Sequence, residues 1–217
     1  MACDRYYRIM NISPIEEILS DFKAGKFVIL VDDKDRENEG DLMVAAEFID
    51  GSKINFMNKQ ASGLICLALT PKQVDRLRLP MLKSAVHSSG ENHAAFTFSI
   101  EASRGITTGI SSKERAHTIQ TAIREDALVA DIVCPGHVFP LKAREGGVLE
   151  RPGHTEAAVD LAKLSHLNAA SVICEILDAE GNPASGQTLK NFADQFQIKI
   201  GTIEDLIRHR KAIQVRQ

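Results

Sequence analysis

Ile15-Glu16-Glu17-Ile18-Leu19-Ser20-Asp21-Phe22-Lys23-Ala24-Gly25-Lys26-Phe27-Val28-Ile29-Leu30-Val31 changes its period half-way along. The first half puts Ile15, Ile18, Leu19 and Phe22 on one side of a helix, Gly25 supplies a C-cap, and Phe27 to Val31 is a continuous apolar run of strand length. A strand can be apolar at every position only where both of its faces are covered. A helix that feeds such a strand is the unit of an α/β fold.

Further along, the same alternation continues. Leu42 to Ala46 resumes apolar character, Ser52 is placed to cap a helix through Gln60, and Leu64 to Leu69 is another short strand. A short amphipathic helix follows Pro71, then a polar stretch from Ser84 to His93. The strict alternation of Phe96-Thr97-Phe98-Ser99-Ile100 predicts a half-buried strand, and so a sheet that is mixed and not purely parallel. Ser111 with Glu114 forms a capping-box signature for a helix to about Arg124, after which Asp131 to Cys134 leads into a Pro/Gly-rich loop holding His137. Thr155 to Leu167 has helical spacing, and Ser171 to Leu177 reads as a buried strand. Gly181-Asn182 turns the chain, a helix spans Thr188 to Gln195, Ile198 to Ile200 is a short strand, and Glu204 to Lys211 is a final helix. These elements predict an α/β fold with α+β character, in which residues 1–217 form a single domain around a mixed β-sheet flanked by helices.

Composition narrows the function classes. The 217 residues carry 26 Lys plus Arg against 29 Asp plus Glu, and a net charge of −3 argues against a nucleic-acid partner. Cys3, Cys66, Cys134 and Cys174 make no C-x-x-C pair, and two of them sit in apolar runs like buried free thiols, which fits a reducing cytoplasm. The polar start of the chain and the strand-sized apolar runs predict neither secretion nor a membrane span.

The run Asp32-Asp33-Lys34-Asp35-Arg36-Glu37-Asn38-Glu39-Gly40-Asp41 sets six carboxylates in ten residues directly after the apolar strand. Such clustering is unfavourable unless the loop is fully wet or the carboxylates share a cation. In an extended chain Glu37, Glu39 and Asp41 point to one side and can grip a hard ion such as Mg or Mn. A solvated acidic turn is the alternative. An EF-hand fails, because a loop begun at Asp35 puts Ala46 where a bidentate Glu is required.

Arg151-Pro152-Gly153-His154-Thr155-Glu156 runs into a helix, whose free N–H groups and dipole favour a phosphate, with His154 able to ligate a metal beside it. A plain helix start capped by Thr155 is the alternative. A zinc deaminase is excluded because Cys134-Pro135 lacks the second cysteine of P-C-x-x-C, and no dinucleotide or P-loop glycine motif occurs. Two isolated groups complete the candidates. His137 has a side chain suited to proton transfer, and Glu175, in an apolar strand, calls for a partner or a raised pKa.

The acidic run, Pro135-Gly136-His137-Val138-Phe139-Pro140-Leu141 and Gly153-His154-Thr155-Glu156-Ala157, in this order, closely resemble the 3,4-dihydroxy-2-butanone 4-phosphate synthases of riboflavin biosynthesis. The resemblance extends from about Ile15 to Arg210 and includes Ser62 to Cys66, Gly105 to Gly109 and Cys174-Glu175. It implies a Mg-dependent lyase, with Mn as a possible substitute, that converts ribulose 5-phosphate to the four-carbon ketone phosphate and formate by enolisation, loss of water and a skeletal shift. It also implies a homodimer with sites near the subunit interface. Carried over by motif, Glu37 and His154 are metal ligands. Arg36, Glu37, Asp41, Arg151, Pro152, Gly153, His154 and Thr155 contact the sugar phosphate, and His137 and Glu175 are catalytic. Glu39 and Asp41 are further candidate proton carriers.

One departure stands out. The family usually has a Thr two residues ahead of the Phe of its Phe-Thr-x-Ser-Ile strand, where this chain has Ala94, and the preceding loop from His87 to His93 also differs. A non-catalytic or weakened paralogue that keeps the fold and binds metal or sugar phosphate is the competing expectation. Related chains are often fused to a GTP cyclohydrolase II domain. This sequence stops at Gln217 after Arg208-His209-Arg210-Lys211, so a monofunctional protein is expected.

Overall fold

The amphipathic stretch that opens the chain becomes helix α1 (Ile15–Lys23), which buries Ile15, Ile18 and Phe22. Gly25, at φ +73°, reverses the chain just beyond it, as expected for a glycine that ends a helix. The computed structural model describes residues 10–34, 36–82 and 93–215. Expectations for Cys3, for Asp35 and for the polar stretch from Ser84 to Asn92, including most of the divergent His87 to His93 loop, lie outside the described residues.

Strand β1 (Val28–Val31) is buried along its whole length. There follow β2 (Gly40–Ala45), α2 (Gly51–Phe56), β3 (Cys66–Leu69), α3 (Pro71–Arg76), β4 (Ile100–Ala102), α4 (Ser112–Ile123) and β5 (Ile132–Lys142). The chain continues through α5 (His154–Leu164), β6 (Ala170–Glu175), α6 (Gly186–Phe196), β7 (Lys199–Thr202) and α7 (Ile203–Gln214). Among the described residues seven strands form one sheet, in the order β4-β5-β3-β6-β2-β1-β7. It is mixed: β1 runs parallel to β7 and β3 to β5, and every other pair is antiparallel.

Successive strand residues enter different cores. Val28, Leu30, Met43, Cys66 and Ile173 pack with α1, α5 and α7, whereas Ile29, Val31, Leu42, Leu67 and Val172 pack with α2, α4 and α6. This sandwich is why β1 needs no polar face. Each fully buried Ile, Leu or Phe contributes about 1.5–3 kcal/mol relative to exposure. Among the described residues no helix is long and apolar enough to cross a membrane.

Three local expectations are corrected. The strand expected at Phe96 to Ile100 is paired continuously only from Ile100 to Ala102, with Phe96 and Thr97 making isolated bridges. The stretch around His137 is strand and not loop: residues 134–137 bulge between the pairs Glu101↔Val133 and Ile100↔Val138. The helix expected to be capped by Ser52 and to run through Gln60 is capped two residues earlier, by Asp50, whose carboxylate accepts from Lys53 N at 2.8 Å, and it passes into a π-turn over Met57–Ala61. Asp50→Ala is therefore expected to cost about 1 kcal/mol and Ser52→Ala less than half of that, as read from urea unfolding midpoints.

Candidate active site

One end of the sheet gathers the chemistry. There β1 ends, β2 begins with Gly40 and Asp41, β3 begins at Cys66, β6 ends at Glu175 and α5 begins at His154. Asp41 is the register partner of Glu175 on the neighbouring strand, so both carboxylates project on the side where α5 packs. A cavity of about 970 Å³ opens over them, lined among others by Arg36, Glu37, Glu39, Arg151, His154 and Thr155.

The acidic run is folded by its first member. Asp32, 2% exposed, accepts from Glu39 N at 3.0 Å with one carboxylate oxygen, and from Glu37 N at 3.2 Å and Arg36 Nη1 at 2.6 Å with the other. Asn38 turns the loop at φ +58°. The chain is thus not extended from Glu37 to Asp41, and the one-sided stacking of three carboxylates expected from i, i+2, i+4 spacing is replaced by a loop wrapped round Asp32. Glu37 remains half-exposed, with Arg36 Nη1 at 2.7 Å.

Helix α5 starts with Gly153 as N-cap and no side-chain cap, so Thr155 does not take the capping role. The first N–H groups of a helix have no partner within it, and here they begin at the cavity wall. Arg151 Nη1 donates to Glu156 Oε2 at 2.5 Å, a buried pair, and Glu156 Oε1 accepts from Arg144 N at 2.9 Å. This bracing fixes the approach to His154.

Electrostatics single out two groups. Burial, and then the charges of Glu175, Glu39, Glu37 and Asp32, hold the Asp41 carboxyl well above the usual carboxylate range. Burial pushes the His154 imidazole below its ordinary value, favouring the neutral ring that ligates metals. Burial likewise raises Glu39, helped by Glu37. Asp41 Oδ1 lies 3.7 Å from His154 Nδ1, and Asp41 Oδ1 and His154 Nε2 are buried with no hydrogen-bond partner among the described residues. Orphaned buried polar atoms are costly, and an ion or substrate bound in the cavity would satisfy them. Asp32, Glu37 and His154 can each bring a ligand atom within 4.8 Å of the others. This donor set of oxygens and one imidazole fits a hard divalent ion. Asp32 already accepts three hydrogen bonds, which leaves Glu37 and His154 with more capacity to hold an ion.

The sequence profile described as 3,4-dihydroxy-2-butanone 4-phosphate synthase matches residues 16–209. The chain belongs to this family. It is 54% identical over 201 residues to a 3,4-dihydroxy-2-butanone 4-phosphate synthase of Neisseria meningitidis serogroup B, covering 92% of this chain and 54% of that protein. It is 53% identical to the riboflavin biosynthesis protein RibBA of Aquifex aeolicus, covering 92% and 49% respectively. A 3,4-dihydroxy-2-butanone 4-phosphate synthase solved in complex with two magnesium ions superposes with a TM-score of 0.88 at 37% identity, covering 94% of this chain and 99% of that one. The chain spans about half the length of the curated relatives it matches.

In this synthase-family chain the cavity brings together Arg36, Glu37, Asp41, Arg151, His154, Thr155 and Glu175, with Glu39 beside them. Pro152, Gly153 and His137 do not line it. Glu175 accepts from Leu64 N at 3.1 Å, so the partner that the sequence calls for is a backbone donor of the Ser62 to Cys66 segment. Burial, then the charges of Glu175 and Asp41, push the Cys66 thiol far up, and burial does the same for Cys174, so both stay protonated beside the acids. Residues missed from sequence are Glu156 and Glu101, the latter 2.7 Å from His137 Nδ1. The signal for Glu101 was available, since a charged residue between Ile100 and Ala102 in a strand is as anomalous as Glu175.

Proposed function

We propose that the chain converts D-ribulose 5-phosphate to L-3,4-dihydroxy-2-butanone 4-phosphate and formate in the presence of Mg, as a lyase of riboflavin biosynthesis. The observation that carries this reading is the pair of orphaned buried atoms, Asp41 Oδ1 and His154 Nε2, beside Glu37 in a cavity that also meets a helix N-terminus. Glu37 and His154 hold the metal, and Mn can stand in for Mg. When bound, the ion polarises adjacent substrate oxygens and stabilises negative charge on them.

This chain's own residues do the rest. The first turn of α5, with Thr155 and Arg151, binds and orients the phosphate, with Pro152 and Gly153 shaping the approach. Arg36 and Asp41 contact the sugar. Burial, and then the charge of the neighbouring Glu175, favour the protonated form of Asp41, which sets a proton donor beside a second carboxylate. Such an acid and base side by side suit the proton shuttling that enolisation of a ketose demands.

His137 lies on the bulge of β5 outside the cavity, on the same strand as exposed Val133. Catalysis by His137 is consistent with a homodimer in which this apolar edge packs on a second protomer and brings the imidazole to its site. Residues 1–217 act as a single domain, in the cytoplasm, on a small molecule, without nucleic acid or membrane.

The test is formate release from ribulose 5-phosphate by the purified protein across a Mg titration. Absence of formate at every Mg concentration, with sugar phosphate still bound, would establish the weakened paralogue instead. The specific observation favouring that alternative is Ala94, which lines the cavity. Ala94→Thr is expected to restore a hydroxyl there and to lower KM about three- to tenfold, the worth of one hydrogen bond. An unchanged KM would separate Ala94 from substrate binding.

A further inference from the structure

The β4–β5 edge is built around one buried carboxylate. Glu101 on β4 is 6% exposed, and its two oxygens are both engaged: Oε2 lies 2.7 Å from His137 Nδ1, and Oε1 accepts from the Thr118 hydroxyl at 3.4 Å. Thr118, on α4, is itself fixed by accepting from Ala102 N at 3.0 Å. The His137 side chain is 42% exposed, in contrast to its partner. The order is thus buried hydroxyl, buried carboxylate, exposed imidazole.

The backbone is shaped to allow this contact. The register shift between Ile100 and Glu101 lets residues 134–137 bulge, so that His137 meets the side chain of Glu101 instead of continuing the ladder. Gly136 crosses β4 so closely that a Cβ there would lie 2.1 Å from the Ile100 carbonyl. Gly109, at φ +82°, covers the carboxylate, and a Cβ there would lie 2.2 Å from Glu101 Oε1. The loop carrying Gly109 is tied down by Glu114, whose carboxylate accepts from Thr107 N and Oγ1 at 2.5 and 2.7 Å. Two glycines and a bulge around a carboxylate are more than packing requires, since a buried acid is costly to retain and an apolar residue would fill the space.

A carboxylate offers only acceptors, so the imidazole nitrogen facing it must carry the hydrogen. We infer that Glu101 is a positioning residue for His137, holding it as the Nδ1–H tautomer with Nε2 presented for proton transfer, through the Thr118–Glu101–His137 chain. The inference rests on the reading of His137 as a catalytic group. It follows the general logic by which a carboxylate fixes the tautomer and direction of a working imidazole.

Long-range 1H–15N spectra of the histidine rings read the tautomer in the resting protein without turnover, with the His137 signal assigned by its absence from His137→Ala. The wild-type ring is expected to be protonated at Nδ1. Glu101→Gln keeps an acceptor in place and is expected to keep that tautomer while lowering kcat about tenfold. Glu101→Leu removes the acceptor at similar volume and is expected to give a mixed tautomer and a kcat loss of about 10²-fold with KM little changed. If the Leu variant does not fold, the wild-type spectrum and the Gln variant still decide the matter. An Nε2–H ring in the wild type, or full kcat in a folded Glu101→Leu protein, overturns the role of Glu101. Full turnover in His137→Ala would instead remove the catalytic reading of His137 and leave the tautomer result intact.

Discussion

Glu37→Ala and His154→Ala are each expected to lower Mg-dependent formate release by at least about 10³-fold, beyond the roughly 10–100-fold typical of groups that only support a ligand. Glu37 and His154 come from the β1–β2 loop and the first turn of α5, and with Asp32 their ligand atoms lie within 4.8 Å of one another. Neither loss should come from unfolding. The Glu37 side chain is 49% exposed, so its truncation should change stability by no more than about 0.5 kcal/mol. His154 is buried with Nε2 unpartnered, so Ala there removes an unsatisfied group together with some packing. Calorimetric Mg titration should report a dissociation constant raised at least about tenfold in both variants. Undiminished Mg affinity in Glu37→Ala would remove it from the ligand set and leave Asp32 as the carboxylate donor.

Asp32 makes the contrast informative. Its carboxylate accepts from Glu37 N, Glu39 N and Arg36 Nη1, so its loss would unfold the loop that carries Glu37. A variant at Asp32 would therefore lose metal affinity and stability together, whereas one at Glu37 loses affinity alone. Spacing alone does not reveal that difference, which rests on the three hydrogen bonds that the Asp32 carboxylate accepts within the loop.

What could be read from sequence was whatever depends on near neighbours. The unbroken apolar run of Phe27 to Val31 marks a strand covered on both faces, and it is. Glu175 stood out because a charge interrupts an otherwise apolar strand. What could not be read depends on contacts between distant segments or on one residue's backbone. Asn38 at φ +58° breaks the extended geometry that spacing alone suggests for Glu37, Glu39 and Asp41. Phe96 and Phe98 alternate as a strand does, so the pattern points a few residues ahead of the ladder, which begins at Ile100 and carries Glu101. The pairing of Asp41 with Glu175 crosses two antiparallel strands far apart in the chain, and no periodicity could reveal it.

That pairing yields the second large effect. Asp41→Asn is expected to lower kcat by about 10²–10⁴-fold, the range for losing a positioned acid or base, and yet to stabilise the metal-free protein. Asp41 is 3% exposed, and burial followed by the charge of Glu175 raises its carboxyl well above the ordinary 3.8. Between that ordinary value and the raised one, the folded protein binds more protons than the unfolded chain, so stability falls as pH rises through the interval. Above it the ionised carboxylate is a net burden on folding. An Asn of the same shape cannot ionise and can donate toward Glu175. Urea unfolding at pH 8 should therefore show Asp41→Asn more stable by on the order of 1 kcal/mol, with the difference shrinking as pH falls toward 4. Excess Mg should stabilise the wild type more than the variant, because the ion compensates a charge that Asn no longer carries. If the variant proves less stable at pH 8 without metal, Asp41 is already satisfied in the folded chain and its unpartnered oxygen does not signal a cation. A gain in stability at the expense of turnover would identify Asp41 as a residue retained for chemistry against the interest of the fold.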